Sequence, residues 1–181
     1  MMLSAQPQPS PAVLRYAHTL SPLGTVTVAI RDNAVCAVIL SDDVEQAFQD
    51  LQRMFKGEPL QHDEENVSSL CLRVKQKILK PGLGDDIELR VVGTPFQQRV
   101  WKQLLTIPAG ETRSYSELAF LIGKPKAVRA VASACAANRI AVLIPCHRVV
   151  RQDGVLSGYR WGLARKNELL RLENTRQQSF S

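Results

Sequence analysis

Between residues 13 and 40 the apolar positions fall into three extended runs, Val13–Leu20, Thr25–Ile30 and Ala34–Leu40. The last two are rich in β-branched residues and meet at Arg31-Asp32-Asn33, so they predict strands joined by a hairpin turn. The period then lengthens. Val44, Ala47, Phe48, Leu51, Met54 and Phe55 recur at helical spacing behind Ser41-Asp42-Asp43, a helix-starting signal. Val67, Leu70, Cys71, Val74 and Ile78 predict a second helix closed by Pro81-Gly82, and Ile87, Leu89 and Val91 alternate as a short strand.

Beyond residue 93 the pattern is mostly helical. Phe96–Leu105 carries an apolar stripe through Val100, Leu104 and Leu105 and stops at Pro108-Ala109-Gly110. Ser114 and Glu117 have the S-x-x-E spacing of a capping box, and Leu118, Leu121 and Ile122 run from it to Gly123, a suitable helix-ending residue. Lys124-Pro125 restarts the chain into a predicted helix over Lys126–Ala137, so two short helices flank a Gly-Lys-Pro turn, a helix-turn-helix candidate. The second of them is lined with Ala127, Ala130, Ala132, Ser133, Ala134, Ala136 and Ala137, with Arg129 as the one long cation in its middle turns. Small side chains let a helix approach another surface closely. By pattern alone that surface is either a protein core or a nucleic-acid groove.

These elements define an α+β chain. Residues 1–12 read as a loose lead-in, 13–92 as a small sheet-and-helix scaffold domain, 93–175 as a mostly helical domain, and 176–181 as a tail. Charge separates the two halves more sharply than hydropathy does. Residues 1–92 carry 9 Lys and Arg against 12 Asp and Glu, whereas residues 93–181 carry 14 against 5. A half with the whole positive excess points to a polyanion partner, and the helix-turn-helix makes that partner DNA. With 45% hydrophobic residues the chain can bury a core, but no apolar run approaches the ~20 residues of a membrane span. The beginning shows no signal-peptide pattern, so secretion is not expected. Cys36, Cys71, Cys135 and Cys146 include no CxxC, and His18, His62 and His147 are scattered, so neither a disulfide framework nor a metal site is expected.

The segment Ile140–Ile144, read as strand-like, delivers Pro145-Cys146-His147-Arg148. A thiol becomes a good nucleophile when a cation or base favours its thiolate. His147 is the candidate base and Arg148 adds positive field. Adjacent side chains often point apart, so His147 would act either directly or through a bridging water. Such a base needs an orienting carboxylate, for which the residues leave Glu117, Asp153, Glu168 and Glu173. The other three cysteines lie in apolar patterns and read as small core residues.

Pro145-Cys146-His147-Arg148, with Ser114-Tyr115, Gly123–Ala130, Asn138 and Ser157-Gly158-Tyr159-Arg160-Trp161-Gly162, resembles the O6-alkylguanine-DNA alkyltransferases, almost continuously from Gly93 to Glu173. The resemblance implies a ribonuclease H-like first domain and a DNA-repair activity in which Cys146 takes the alkyl group, chiefly methyl, from O6 of guanine and is consumed. It implies Glu173 as the orienting carboxylate for His147, and a water as the proton carrier. Asn138 would brace the active-site strand, and Tyr115 would donate toward the departing guanine. Arg129 would replace the extruded base in the stack, with Ser116 and Lys124 on the flanking backbone. Val149, Tyr159, Arg160, Trp161 and Lys166 would form the base pocket, with Trp161 at its rim and Ala141 at its approach. No cofactor and no metal are implied, the partner is double-stranded DNA approached through the minor groove, and the protein is expected to be a monomer of the bacterial cytoplasm. Extraction of the base matches the chemistry, because O6 is hidden inside a duplex. A cysteine hydrolase and a non-catalytic binder of alkylated DNA are the rival classes; the first predicts turnover, and the second does not need Cys146.

Overall fold

The computed structural model describes residues 13–84 and 86–177, and the predicted lead-in and residues 178–181 of the tail lie outside them. Strands β1 (Leu14–Ser21), β2 (Gly24–Arg31) and β3 (Ala34–Ser41) form an antiparallel meander. The turn from β2 to β3 is the two-residue Asp32-Asn33, both at positive φ, as a primed hairpin turn requires. Helix α1 (Val44–Met54) starts where the Asp43 side chain accepts from the Gln46 amide, and α2 (Glu64–Leu79) where Asp63 accepts from Asn66. Between them β4 (Leu60–His62) pairs in parallel with β1, giving the strand order β3-β2-β1-β4. The hydrophobic pattern did not reveal β4, which is three residues long and largely exposed.

The remaining elements are α3 (Pro95–Leu104), β5 (Arg113–Ser114), α4 (Tyr115–Leu121), α5 (Val128–Ala136), β6 (Val149–Val150) and α6 (Leu163–Gln177). A single 3₁₀ turn, Cys146–Arg148, precedes β6. α3 opens with a Thr94–Gln97 capping box and Pro95 in its first turn. α4 opens with the expected Ser114–Glu117 box. It closes with Gly123 at φ +74°, where the Lys124 and Gly123 amides return to Ala119 and Phe120. α6 reaches into the residues assigned to the tail.

Two predictions about extended chain need correction. Residues 87–91 form no strand, because only Leu89 pairs, with Val35 on the free edge of β3. The run 140–144 is likewise not a strand. Ile140 alone pairs, with Val38, while the Ala141 amide donates to Val38 O (3.1 Å) and the chain then turns away. Both segments therefore cover one sheet edge that would otherwise present unpaired amides. The second hangs the cysteine-bearing loop on the N-terminal sheet. Arg165 of α6 adds a further tie, with Nε on Leu23 O (2.8 Å) and Nη2 on Asp42 (2.5 Å). Among the described residues no helix is long and apolar enough to cross a membrane.

Candidate active site

Three short-range devices carry the chain from α5 to the cysteine. Asn138, just past α5, accepts from the Ile140 amide (2.9 Å), and its Nδ2 donates to Ile144 O (3.0 Å) and toward Cys146 Sγ (3.2 Å). A γ-turn centred on Val142, at φ +67°, links the Leu143 amide to Ala141 O. A second turn at Pro145 returns the Cys146 amide to Ile144 O (2.8 Å). Asn138 is buried, so removing its side chain would strand several backbone groups away from water. It braces α5 against a turn rather than against the strand expected there.

His147 and Glu173 are both nearly inaccessible, and His147 Nε2 donates to Glu173 Oε1 at 2.8 Å. Arg148 holds the same carboxylate through Nε, 3.1 Å from each oxygen, and through Nη2 at 2.8 Å, while its Nη1 reaches Ile107 O (2.6 Å). Burial alone would raise the Glu173 carboxyl, but the bonds from His147 and Arg148 outweigh it and hold the group at about 2. Burial lowers His147 below its ordinary 6.5 against the pull of Glu173. Since Arg148 already balances the carboxylate, His147 rests neutral, with its proton on Nε2 and a lone pair on Nδ1. Nδ1 is buried and has no hydrogen-bond partner among the described residues. Arg148 therefore serves Glu173 and not the thiol field assigned to it from sequence. The Cys146 thiol is pushed up to about 11 by burial, against the Asn138 hydrogen bond and the Lys166 charge, so it rests protonated.

Cys146 lines a cavity of about 340 Å³ with Tyr115, Ala132, Cys135, Ala136, Ser157 and the residues 158–160. The Tyr115 hydroxyl donates to Ser157 O (3.2 Å). Lys166, wholly buried, donates to the same carbonyl (3.0 Å) and to Val149 O (2.6 Å). Lys166 and Val149 thus stand behind the wall and pin the loop, and they do not line the cavity as expected. Trp161 is also displaced from its expected place. It is buried, its ring edge-on to Tyr159 with centroids 5.3 Å apart, so Tyr159 and Arg160 form the wall and the indole supports it. Ala141 is fully buried and lies outside the lining. Ala132, Cys135 and Ala136 were not singled out as pocket residues; their i, i+3 and i+4 spacing on α5 was the available signal.

Arg129 is exposed in the first turn of α5, because that helix begins at Val128 and not at Lys126. Lys124 is exposed in the turn between α4 and α5, and Ser116 sits partly buried in the first turn of α4 beside Val128. Among the described residues no group of three or more His, Cys, Asp or Glu side chains is placed to hold a metal ion.

The family described as 6-O-methylguanine DNA methyltransferase, DNA binding domain, matches residues 95–175. The bifunctional transcriptional activator/DNA repair enzyme Ada of Escherichia coli is 49% identical over 168 residues, 88% of this chain and 45% of Ada. The methylated-DNA–protein-cysteine methyltransferase of Lodderomyces elongisporus is 37% identical over 158 residues, 78% of this chain and 76% of that protein. The crystal structure of Mycobacterium tuberculosis OGT in complex with DNA superposes with a TM-score of 0.75 at 38% identity, covering 90% of this chain and 94% of that one. The chain spans about half the length of the Ada proteins it matches.

Proposed function

The chain belongs to the 6-O-methylguanine DNA methyltransferase family, and we propose from that premise that it repairs O6-alkylguanine in DNA by moving the alkyl group to Cys146. The observation that carries the reading is a buried cysteine at a cavity of about 340 Å³, next in sequence to an imidazole that is hydrogen-bonded to a buried carboxylate. In the transfer, Sγ forms a bond to the alkyl carbon as the bond from that carbon to O6 breaks. The thiol proton leaves through a water to His147 Nδ1, and the imidazolium formed is stabilised by Glu173. Tyr115 gives a proton to the departing guanine. Its hydroxyl is held above its ordinary 10 by burial, so it keeps that proton until the guanine needs it. Asn138 and Lys166 act by positioning, the first on the thiol and the second on the loop of Ser157.

A duplex must give up the target base for this chemistry, at a cost of a few kcal/mol. The Ala-lined face of α5 suits a shallow minor-groove approach, with Arg129 as the side chain that fills the vacated stack. Lys124 and Ser116 are the proposed contacts to flanking phosphates, and the positive half would supply affinity without reading sequence. A thioether has no thiol-exchange route back, so each chain acts once. Mixing the protein with excess O6-methylguanine duplex tests this reading: transfer should stop at one equivalent per chain and stay stopped after thiol is added. Multiple turnovers would favour a hydrolase.

A further inference from the structure

A second cavity, of about 110 Å³, lies between the β3 edge and the C-terminal helices, with Arg31, Arg90, Arg139, Glu58, Cys36 and Asn138 in its lining. That is the room of about four waters at roughly 30 Å³ each. Its three guanidiniums come from three separate segments: the end of β2, the bridge near Leu89, and the residue after Asn138. Their existing partners leave capacity. Arg31 Nη2 forms an ion pair with Glu58, but Nε and Nη2 are both buried and neither makes a hydrogen bond among the described residues. Arg90 contacts Asp32 through Nη1 (2.5 Å). Arg139 lies 5.5 Å over the Phe55 ring, and no ion pair with a carboxylate is formed by it among the described residues. Three cations line the cavity with Glu58, while Asp32 holds Arg90 from outside the lining, and all three cations oppose the burial that raises the Cys36 thiol to about 11. Their fields converge on one small space.

We propose that this cavity binds the phosphate group of a ligand, with Arg31 Nε, Arg90 and Arg139 as its donors. Guanidinium forks match tetrahedral oxyanions, and a buried donor without an acceptor carries a desolvation cost that such an oxyanion removes. Glu58 is the opposing group; it stays on Arg31 Nη2 while Nε turns to the anion. The volume admits a phosphate and excludes an attached base. The cavity shares Asn138 with the thiol site, and Arg160 of the methyl-transfer cavity is lowered by burial and then by the charge of Arg139. Positive charge therefore runs from the thiol site to this cavity. The phosphate comes either from a DNA backbone, which rests on the function proposed above, or from a free anion.

Isothermal titration calorimetry of the full chain with inorganic phosphate, at constant ionic strength, tests the site. Wild type should give a saturable, one-site isotherm with a millimolar Kd. Arg139→Gln, on an exposed side chain, should weaken it about tenfold, and Arg31→Gln should abolish it. Lys80→Ala, at an exposed lysine outside the lining, should leave it unchanged. Competition against a fluorescent undamaged duplex then separates the sources: displacement of the duplex by phosphate, lost in Arg139→Gln, identifies a backbone phosphate, and saturable phosphate binding without displacement identifies a free anion. Absence of a saturable isotherm in wild type, or an isotherm unaltered in both Arg31→Gln and Arg139→Gln, would overturn the proposal. Neither readout involves alkyl transfer, so failure here and failure of the repair activity are separate results.

Discussion

His147 and Arg148 are consecutive in the chain yet converge on one carboxylate, Glu173, which accepts from His147 Nε2 and from the Arg148 guanidinium. The 3₁₀ turn makes this possible by directing both side chains toward α6. Arg148→Met would leave Glu173 buried without its strongest cation, and losing one partner of a buried pair costs about 3–5 kcal/mol. Urea denaturation should show that loss. Arg148→Met/Glu173→Gln should recover part of it, because the second change removes the stranded charge. Stability of Arg148→Met equal to wild type would mean that the pair does not hold the fold.

The pH dependence of transfer should follow His147. In the proposed transfer the proton passes to a neutral imidazole whose pKa burial holds below 6.5, so the single-turnover rate should stay level from neutral pH to pH 9 and fall in acid as His147 gains a proton. A rate rising tenfold per pH unit across that range would mean that free thiolate, and not a thiol with a base, is the reactant.

Folding stability should fall in two acid steps. The His147 pKa is depressed by burial in the folded chain, so unfolding takes up a proton and stability declines as pH drops below 6.5. The Glu173 carboxyl, at about 2 when folded against 4.5 when free, loses its contribution between those values. Glu173→Gln should remove the second step. Persistence of that step in Glu173→Gln would assign it to other carboxylates.

Arg129→Ala should slow transfer from duplex DNA far more than transfer from the free modified base, since only the duplex requires extrusion. Single-turnover rates on the two substrates give the comparison. Equal slowing would place Arg129 in chemistry or folding.

Trp161→Gly should destabilise the protein by about 3–5 kcal/mol, the usual cost of deleting a buried aromatic ring. The indole supports Tyr159 from behind, so its loss opens a void there and does not simply widen the pocket mouth. Thermal denaturation that leaves Trp161→Gly at the wild-type midpoint would return the ring to the rim.

Much of this was legible in the sequence because local signals and tertiary structure agree. The Ser114–Glu117 box, the Gly123 stop and the Asp32-Asn33 turn are each fixed by backbone chemistry within four residues. The run 140–144 misled because five consecutive apolar residues fit a buried strand and a buried turn equally well. Nothing local announces a β-branched residue at φ +67°; the Asn138 hydrogen bonds and the β3 edge impose it from outside the run. Arg148 was visible as a charge but not as the Glu173 clamp, a contact across 25 positions. The Ser157 carbonyl that joins Tyr115 to Lys166 is backbone, which a side-chain motif does not encode. Cys135 was read as a core residue, and it is mostly buried, yet it also shares the cavity with Cys146.

That second thiol makes the identity of the acceptor the sharpest question. Intact-mass analysis with peptide mapping, after mixing the protein with O6-methylguanine duplex, addresses it directly. The predicted result is a gain of one CH₂ per chain, located on Cys146, and no gain in Cys146→Ser, which still binds the duplex. A methyl group on Cys135, an adduct in Cys146→Ser, or an unmodified protein after the DNA has lost its methyl would each contradict transfer to Cys146.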